Sequence, residues 1–176
     1  MNNLEYYLGF SYFLGIGPQR LSLLLQNFSD VKKAYLAAKD ELVNVLGKKL
    51  TEKFIQFRNQ FDPKKELEKL KEKGISVLSQ DDNQYPQSLK KIADPPICLY
   101  IKGNFSNFDF EKDFFLAVVG TRRPTSYGET LTKKFASQLA SMGIVIVSGM
   151  ALGIDSLAHW AALNSLGRTI AVLGCG

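Results

Sequence analysis

Residues 114–176 hold three short apolar runs, each closed by a glycine turn, and this repetition limits the possible folds more than any other feature of the chain. Phe114-Phe115-Leu116-Ala117-Val118-Val119 leads into Gly120-Thr121-Arg122-Arg123-Pro124-Thr125-Ser126-Tyr127-Gly128. Ile144-Val145-Ile146-Val147 leads into Ser148-Gly149-Met150-Ala151-Leu152-Gly153, and Thr169-Ile170-Ala171-Val172-Leu173 into Gly174-Cys175-Gly176. Runs of this length suit buried strands and fall well short of a bilayer span. Between the first two, Leu131, Phe135, Leu139 and Met142 recur at helical spacing. Ser126 stands three residues before Glu129, as in a capping box, with Thr125 beside it as the other candidate cap. Asp155 is placed to cap a second helix carrying Leu157, Ala158, Ala161, Ala162 and Leu166. Alternating strands and helices predict an α/β fold with a parallel sheet covered on both faces, its glycine turns gathered at the carboxyl edge. The sheet reads as unfinished at Gly176, so the chain is expected to stop inside its domain.

Upstream, residues 1–61 read as a separate all-α domain and residues 62–176 as the second domain. Leu4, Tyr7, Leu8 and Phe13 mark one helix face, Gly15-Ile16-Gly17-Pro18 a turn, and Leu21 to Phe28 a second helix. Pro18 fits the first turn of that helix, where a missing N–H costs nothing. Leu14-Gly15-Ile16-Gly17 with Arg20 and Leu24-Leu25 fits either a helix-hairpin-helix, whose amides hold a DNA phosphate, or a compact αα turn with no ligand. Lys39 to Leu46 and Leu50 to Phe61, turning at Gly47, would complete a four- or five-helix bundle of the sterile-alpha-motif kind. Asp62-Pro63 opens a further helix that ends at Gly74, and its Lys/Glu alternation is a solvated face. Ile75–Leu78 and Ile97–Ile101 read as strands.

The 22 basic and 17 acidic residues leave a net charge of +5 that is spread along the chain. The total therefore favours an anionic partner only weakly, and the placement of Arg122 and Arg123 matters more. Two cysteines, Cys98 and Cys175, and a single histidine give neither a zinc spacing nor a disulfide framework. With no leader pattern and no apolar run of bilayer length, the expected setting is reduced and cytoplasmic, without a membrane segment.

A strand, a glycine turn and a capped helix together make a phosphate-binding arrangement, because unpaired N–H groups and the helix dipole both favour negative charge. Gly120 permits close approach, and Arg122 and Arg123 can add charge-assisted contacts. Known loops fit poorly. A Walker A loop needs Lys-Ser or Lys-Thr after its glycines, whereas Glu129-Thr130 follows Gly128, and neither turn spells Gly-x-Gly-x-x-Gly. Asp155 and His159 share a helical face, but with no nucleophile placed beside them a cap and its neighbour outweigh a base and its orienting carboxylate. Ser148 is the one nucleophile candidate kept. Tyr127 and Trp160 are placed to stack on a base, packing being the expected role of Trp160.

The blocks Val118–Gly128, Ser148–His159 and Thr169–Gly176, with Tyr85-Pro86, Asp94-Pro95-Pro96 and Leu99–Gly103 upstream, closely resemble the DNA processing protein A family, also called Smf. The resemblance implies an extended Rossmann-like domain with a mostly parallel sheet, behind a sterile-alpha-motif-like domain. It also implies a non-catalytic protein that binds single-stranded DNA during natural transformation and loads a RecA-type recombinase onto it, with no cofactor and no metal. Self-association through the Rossmann-like domain, as a homodimer, belongs to the same implication. The resemblance puts the family's pocket arginine at Arg122 and its second signature at the Ser148-Gly149 turn; joined to the phosphate-binding reading of the turns, the expected DNA-binding residues are Gly120, Thr121, Arg122, Arg123, Ser126, Ser148, Gly149 and Gly153. Many members carry arginine where this chain has Leu152, which removes one positive charge from the rim.

Two other readings stay open. A related Rossmann-like group hydrolyses nucleoside monophosphates as phosphoribohydrolases, but its Pro-Gly-Gly-x-Gly-Thr-x-x-Glu segment is missing through Gly176. A DNA-independent scaffold would use the arginines at a protein interface.

Overall fold

The computed structural model describes residues 3–174, so Cys175 and Gly176 of the third glycine turn lie outside the described residues. The chain forms two compact units, Met1–Asn107 and Phe108–Gly176.

The first unit begins with α1 (Leu4–Tyr12), α2 (Pro18–Phe28), α3 (Val31–Leu36), α4 (Lys39–Leu46) and α5 (Lys48–Gln60). Pro18 occupies the first turn of α2 as expected, and the Arg20 guanidinium donates to the Gly15 carbonyl at 2.8 Å, closing the preceding turn. Asp30 caps α3 by accepting from the Lys33 N–H. Gly47, at φ +76°, lets α4 turn directly into α5. The core is aromatic. Phe10 stacks on Phe54 at 5.3 Å, and both rings meet Tyr35 edge-on. Tyr7, Leu8, Gly9 and Phe10 are all buried, because α1 packs against α3 on one side and against α6 (Pro63–Glu72), β1 (Ile75–Ser79) and β2 (Cys98–Lys102) on another. A helix with neighbours on several sides has no solvent stripe, which is why its single expected face understates its burial.

Strands β1 and β2 pair antiparallel with each other, Ile75 opposite Lys102 and Ser79 opposite Cys98. The loop between them contains α7 (Gln87–Lys90). It is pinned by Asp82, which accepts from the Ser79 N–H and hydroxyl at 2.6 and 2.8 Å, and by the buried Tyr85, which donates to the Pro96 carbonyl at 2.8 Å.

The second unit carries β3 (Phe115–Ala117), α8 (Ser126–Ser141), β4 (Val145–Ser148), α9 (Ile154–Asn164) and β5 (Thr169–Ala171). The strands form a parallel sheet in the order β3-β4-β5. An all-helical region followed by antiparallel and parallel strands, with strand–turn–helix cycles last, is a partial Rossmann-like α/β architecture. Leu116, Ile146 and Thr169 share one face by register. There Ile146 packs with Ala136 and Ala140 of α8 and Ala158, Ala161 and Ala162 of α9.

Within this unit both helices therefore lie on the same face and touch each other, rather than covering the two faces expected from the sequence. Facing alanines let the helix axes approach closely. Phe135 and Met142 of the expected stripe point to solvent, and so does Trp160, which is 65% exposed rather than packed. On the opposite face the connector supplies cover, Phe110 stacking on Phe115 at 5.0 Å.

The Arg168 guanidinium clasps Asp113 with two bonds, at 2.7 and 2.8 Å. These donated bonds, with a further one from the Asp109 N–H, hold the Asp113 carboxyl below the usual carboxylate range. Its folded-state pKa is depressed, so its contribution is present above the unfolded value and lost as the pH falls through the carboxylate range. The Asp113→Asn variant is accordingly expected to melt lower at neutral pH and to lose less stability than the parent on acidification, as read from thermal melts across that range.

Candidate nucleic-acid interface

Because β3 and β4 run parallel, the turns that follow them emerge at the same edge of the sheet. Four contacts fuse those turns. The Ile154 N–H donates to the Thr121 carbonyl at 3.2 Å, and the Ser148 hydroxyl donates to the Val118 carbonyl at 2.6 Å. The Asp155 carboxylate accepts from the Gly120 N–H through Oδ1 at 3.4 Å and from the Gly149 N–H through Oδ2 at 3.1 Å. Asp155 thus bridges two turns of the sheet edge instead of capping its own helix, and Gly153 takes the N-cap position.

The glycines of these turns are explained by that closeness. A Cβ on Gly120 would lie 2.7 Å from the Ile154 side chain, and one on Gly149 would lie 2.9 Å from Asp155 Oδ2. Gly153 combines φ +85° with a Cβ position 2.3 Å from the Thr121 carbonyl oxygen, so the second turn is packed beneath the backbone that carries Arg122. The Thr121 hydroxyl accepts from the Arg123 N–H at 3.1 Å and fixes the turn between them.

Thr125 caps α8 by accepting from the Gly128 N–H at 3.2 Å, which places Ser126 inside the first helical turn rather than at the cap. Ser126 and both arginines are exposed, and neither guanidinium has a hydrogen-bond or ion-pair partner among the described residues. Tyr127, in the same stretch, and Met150 and Leu152 of the second turn are exposed as well. Met150 adopts φ +56°, an uncommon conformation for a non-glycine residue, in the turn between β4 and α9. Of the residues expected at the site, the arginines and Ser126 face solvent while Ser148 is buried with its hydroxyl engaged.

His159 does not pair with Asp155. Its Nδ1 lies 2.7 Å from the Thr169 hydroxyl, which itself donates to the Ile146 carbonyl at 2.7 Å. The hydroxyl proton is committed, so Nδ1 carries a proton and donates. Nε2 is buried without a partner, and burial pushes the imidazole pKa down against the opposing pull of Asp155. A depressed histidine pKa makes the unfolded chain the better proton acceptor, so stability is full above the unfolded pKa near 6.5 and falls as the pH drops below it. This is the chain's single histidine. Thermal melts at pH 8 and pH 5.5 are expected to show a loss of stability that His159→Gln abolishes.

Among the described residues, no cluster of three or more His, Cys, Asp or Glu is arranged to hold a metal, and no helix is long and apolar enough to cross a membrane.

The model of the family described as DNA recombination-mediator protein A matches residues 76–176. The chain is 39% identical to Protein Smf of Synechocystis over 97% of its own length and 44% of the relative's. It is 40% identical to the DNA processing protein DprA of Bacillus subtilis over 66% of its length and 39% of the relative's. The X-ray structure of DNA processing protein A from Streptococcus pneumoniae superposes on all of the chain and 59% of its own, with a TM-score of 0.75 and 31% identity. The chain spans less than half the length of the curated relatives it matches.

Proposed function

Because the chain belongs to the DNA recombination-mediator protein A family, we propose that it binds single-stranded DNA at the carboxyl edge of β3 and β4 and serves in loading a RecA-type recombinase during natural transformation and recombination. The observation that carries this reading is the pair Arg122 and Arg123, two adjacent exposed guanidiniums without a partner among the described residues, on a turn clamped from below by Gly153. Cations presented in this way hold a phosphate backbone without reading bases. In the proposed division of labour, Arg122 and Arg123 contact the strand and Ser126 adds a hydroxyl beside them. Gly120, Thr121, Ser148, Gly149 and Gly153 give the edge its shape. Tyr127, exposed next to the arginines, offers a ring for a base.

The rest of the reading follows the family. Residues 1–61 are read as the sterile-alpha-motif-like domain and 62–176 as part of the Rossmann-like DNA-binding domain, with self-association through the latter, a cytoplasmic setting and a binding rather than a catalytic role.

Fluorescence-anisotropy titration with an oligothymidylate and a matched duplex tests the reading. A preference for the single strand that weakens with added salt is the expected result. Equal affinity for both, or binding indifferent to salt, would sink it.

A further inference from the structure

We propose that Asp155 is a specificity-determining residue: its carboxylate fills the anion hole that the first two glycine turns would otherwise offer, so the edge takes a polynucleotide backbone through its arginines and refuses free mononucleotides. The proposal deepens the DNA-binding reading and rests on it for what the arginines hold.

Turns at the carboxyl edge of an open α/β sheet ordinarily direct their amides at a phosphate, with a helix N-terminus behind them. Here the amides of Gly120 and Gly149 are directed at the two oxygens of one carboxylate, 3.4 and 3.1 Å away. Two turns thus grip one anionic group by two oxygens, as they would grip a phosphate. Asp155 is only 7% exposed and is the second residue of α9, where the helix dipole favours negative charge. Its Oδ2 stands 2.9 Å from the position of a Cβ on Gly149, so the space beside that turn is already taken.

A phosphate monoester entering the turns would have to displace this carboxylate or sit against it, and like charges in a poorly solvated site repel strongly. The cations that remain, Arg122 and Arg123, lie outside the hole in solvent. Exposed cations hold an isolated phosphate weakly, whereas a strand supplies several phosphates at once and gains from their linkage. The same occupancy accounts for a sequence that keeps strand–turn–helix order yet lacks both the Walker A lysine and the dinucleotide glycines.

The test follows the amide signals of Gly120 and Gly149 in isotopically labelled protein during titration with inorganic phosphate, thymidine monophosphate and oligothymidylate. In the unaltered chain both signals are expected to stay in place with millimolar phosphate or monophosphate. Asp155→Ser, which empties the hole, is expected to bind phosphate at least tenfold more tightly, with shifts centred on the two glycines. Movement of those amides in the unaltered chain would overturn the proposal, as would a folded Asp155→Ser variant that gains no phosphate affinity. If the variant does not fold, the titration of the unaltered chain decides alone. Failure of oligothymidylate to bind would remove the DNA reading while leaving the phosphate result to stand by itself, so the two failures are distinguishable.

Discussion

Replacing Gly153 with alanine is expected to destabilise the second unit by about 3–5 kcal/mol, the range reserved for substitutions with a named steric cause. Two causes coincide. The backbone sits at φ +85°, ψ −128°, a region that side-chain-bearing residues rarely enter. A Cβ there would also lie 2.3 Å from the Thr121 oxygen and 2.7 Å from the Arg122 carbonyl carbon, backbone atoms that cannot swing aside. Relief requires moving the first turn and breaking the bond from the Ile154 N–H to Thr121. Gly143 supplies an internal control, since it also has a positive φ, +89°, but open space around it. Gly143→Ala is therefore expected to cost only about 1 kcal/mol. Urea unfolding followed by circular dichroism compares the two, and equal midpoints would show that the turns are not packed as described.

The second large effect is on binding. Arg122→Ala and Arg123→Ala remove exposed guanidiniums that have no partner among the described residues, so the melting temperature is expected to stay put. Affinity for single-stranded DNA is expected to fall about tenfold for each, corresponding to a charge-assisted contact of roughly 1.5 kcal/mol, and to fall alike for oligonucleotides of different sequence. Arg168→Ala should behave in the opposite way. Its side chain is engaged by Asp113, so the variant loses stability and keeps its affinity. If Arg168→Ala weakened binding as much as Arg122→Ala, the loss would reflect net charge rather than a site.

The order of elements in the second unit was legible because runs such as Ile144–Val147 and turns such as Ser148–Gly153 are local signals. The reasons for its glycines were not. The side chain excluded by Gly120 belongs to Ile154, and the backbone beneath which Gly153 packs belongs to Thr121 and Arg122, so each glycine answers to a partner in the other turn. Asp155 was misread for a related reason. A carboxylate at the start of a helix is locally indistinguishable from a cap, and only the sheet edge brings Gly120 and Gly149 to it.

The expected face of α9 is buried at Ala158, Ala161 and Ala162, whereas on α8 size outweighs hydrophobicity: Leu139 packs on the core, but Phe135, and Met142 at the C-cap, face solvent, while Ala136 and Ala140 face α9 because α9 presents alanines of its own. Of the two candidate caps of α8, Thr125 takes the role and Ser126 falls inside the first turn. In the first unit, Gly47 and Pro18 announced their turns correctly. The short helix α3 was not anticipated, its six residues being too few to show a period.

The salt dependence of oligothymidylate binding, measured in parallel for the unaltered chain and Arg122→Ala, decides whether the sheet-edge arginine holds the DNA backbone. A phosphate contact contributes roughly one unit to the slope of log affinity against log salt concentration, so the variant's slope is expected to be shallower by about that amount. An unchanged slope, whatever happened to the affinity, would mean that Arg122 does not hold the DNA backbone and that the strand, if bound, lies elsewhere.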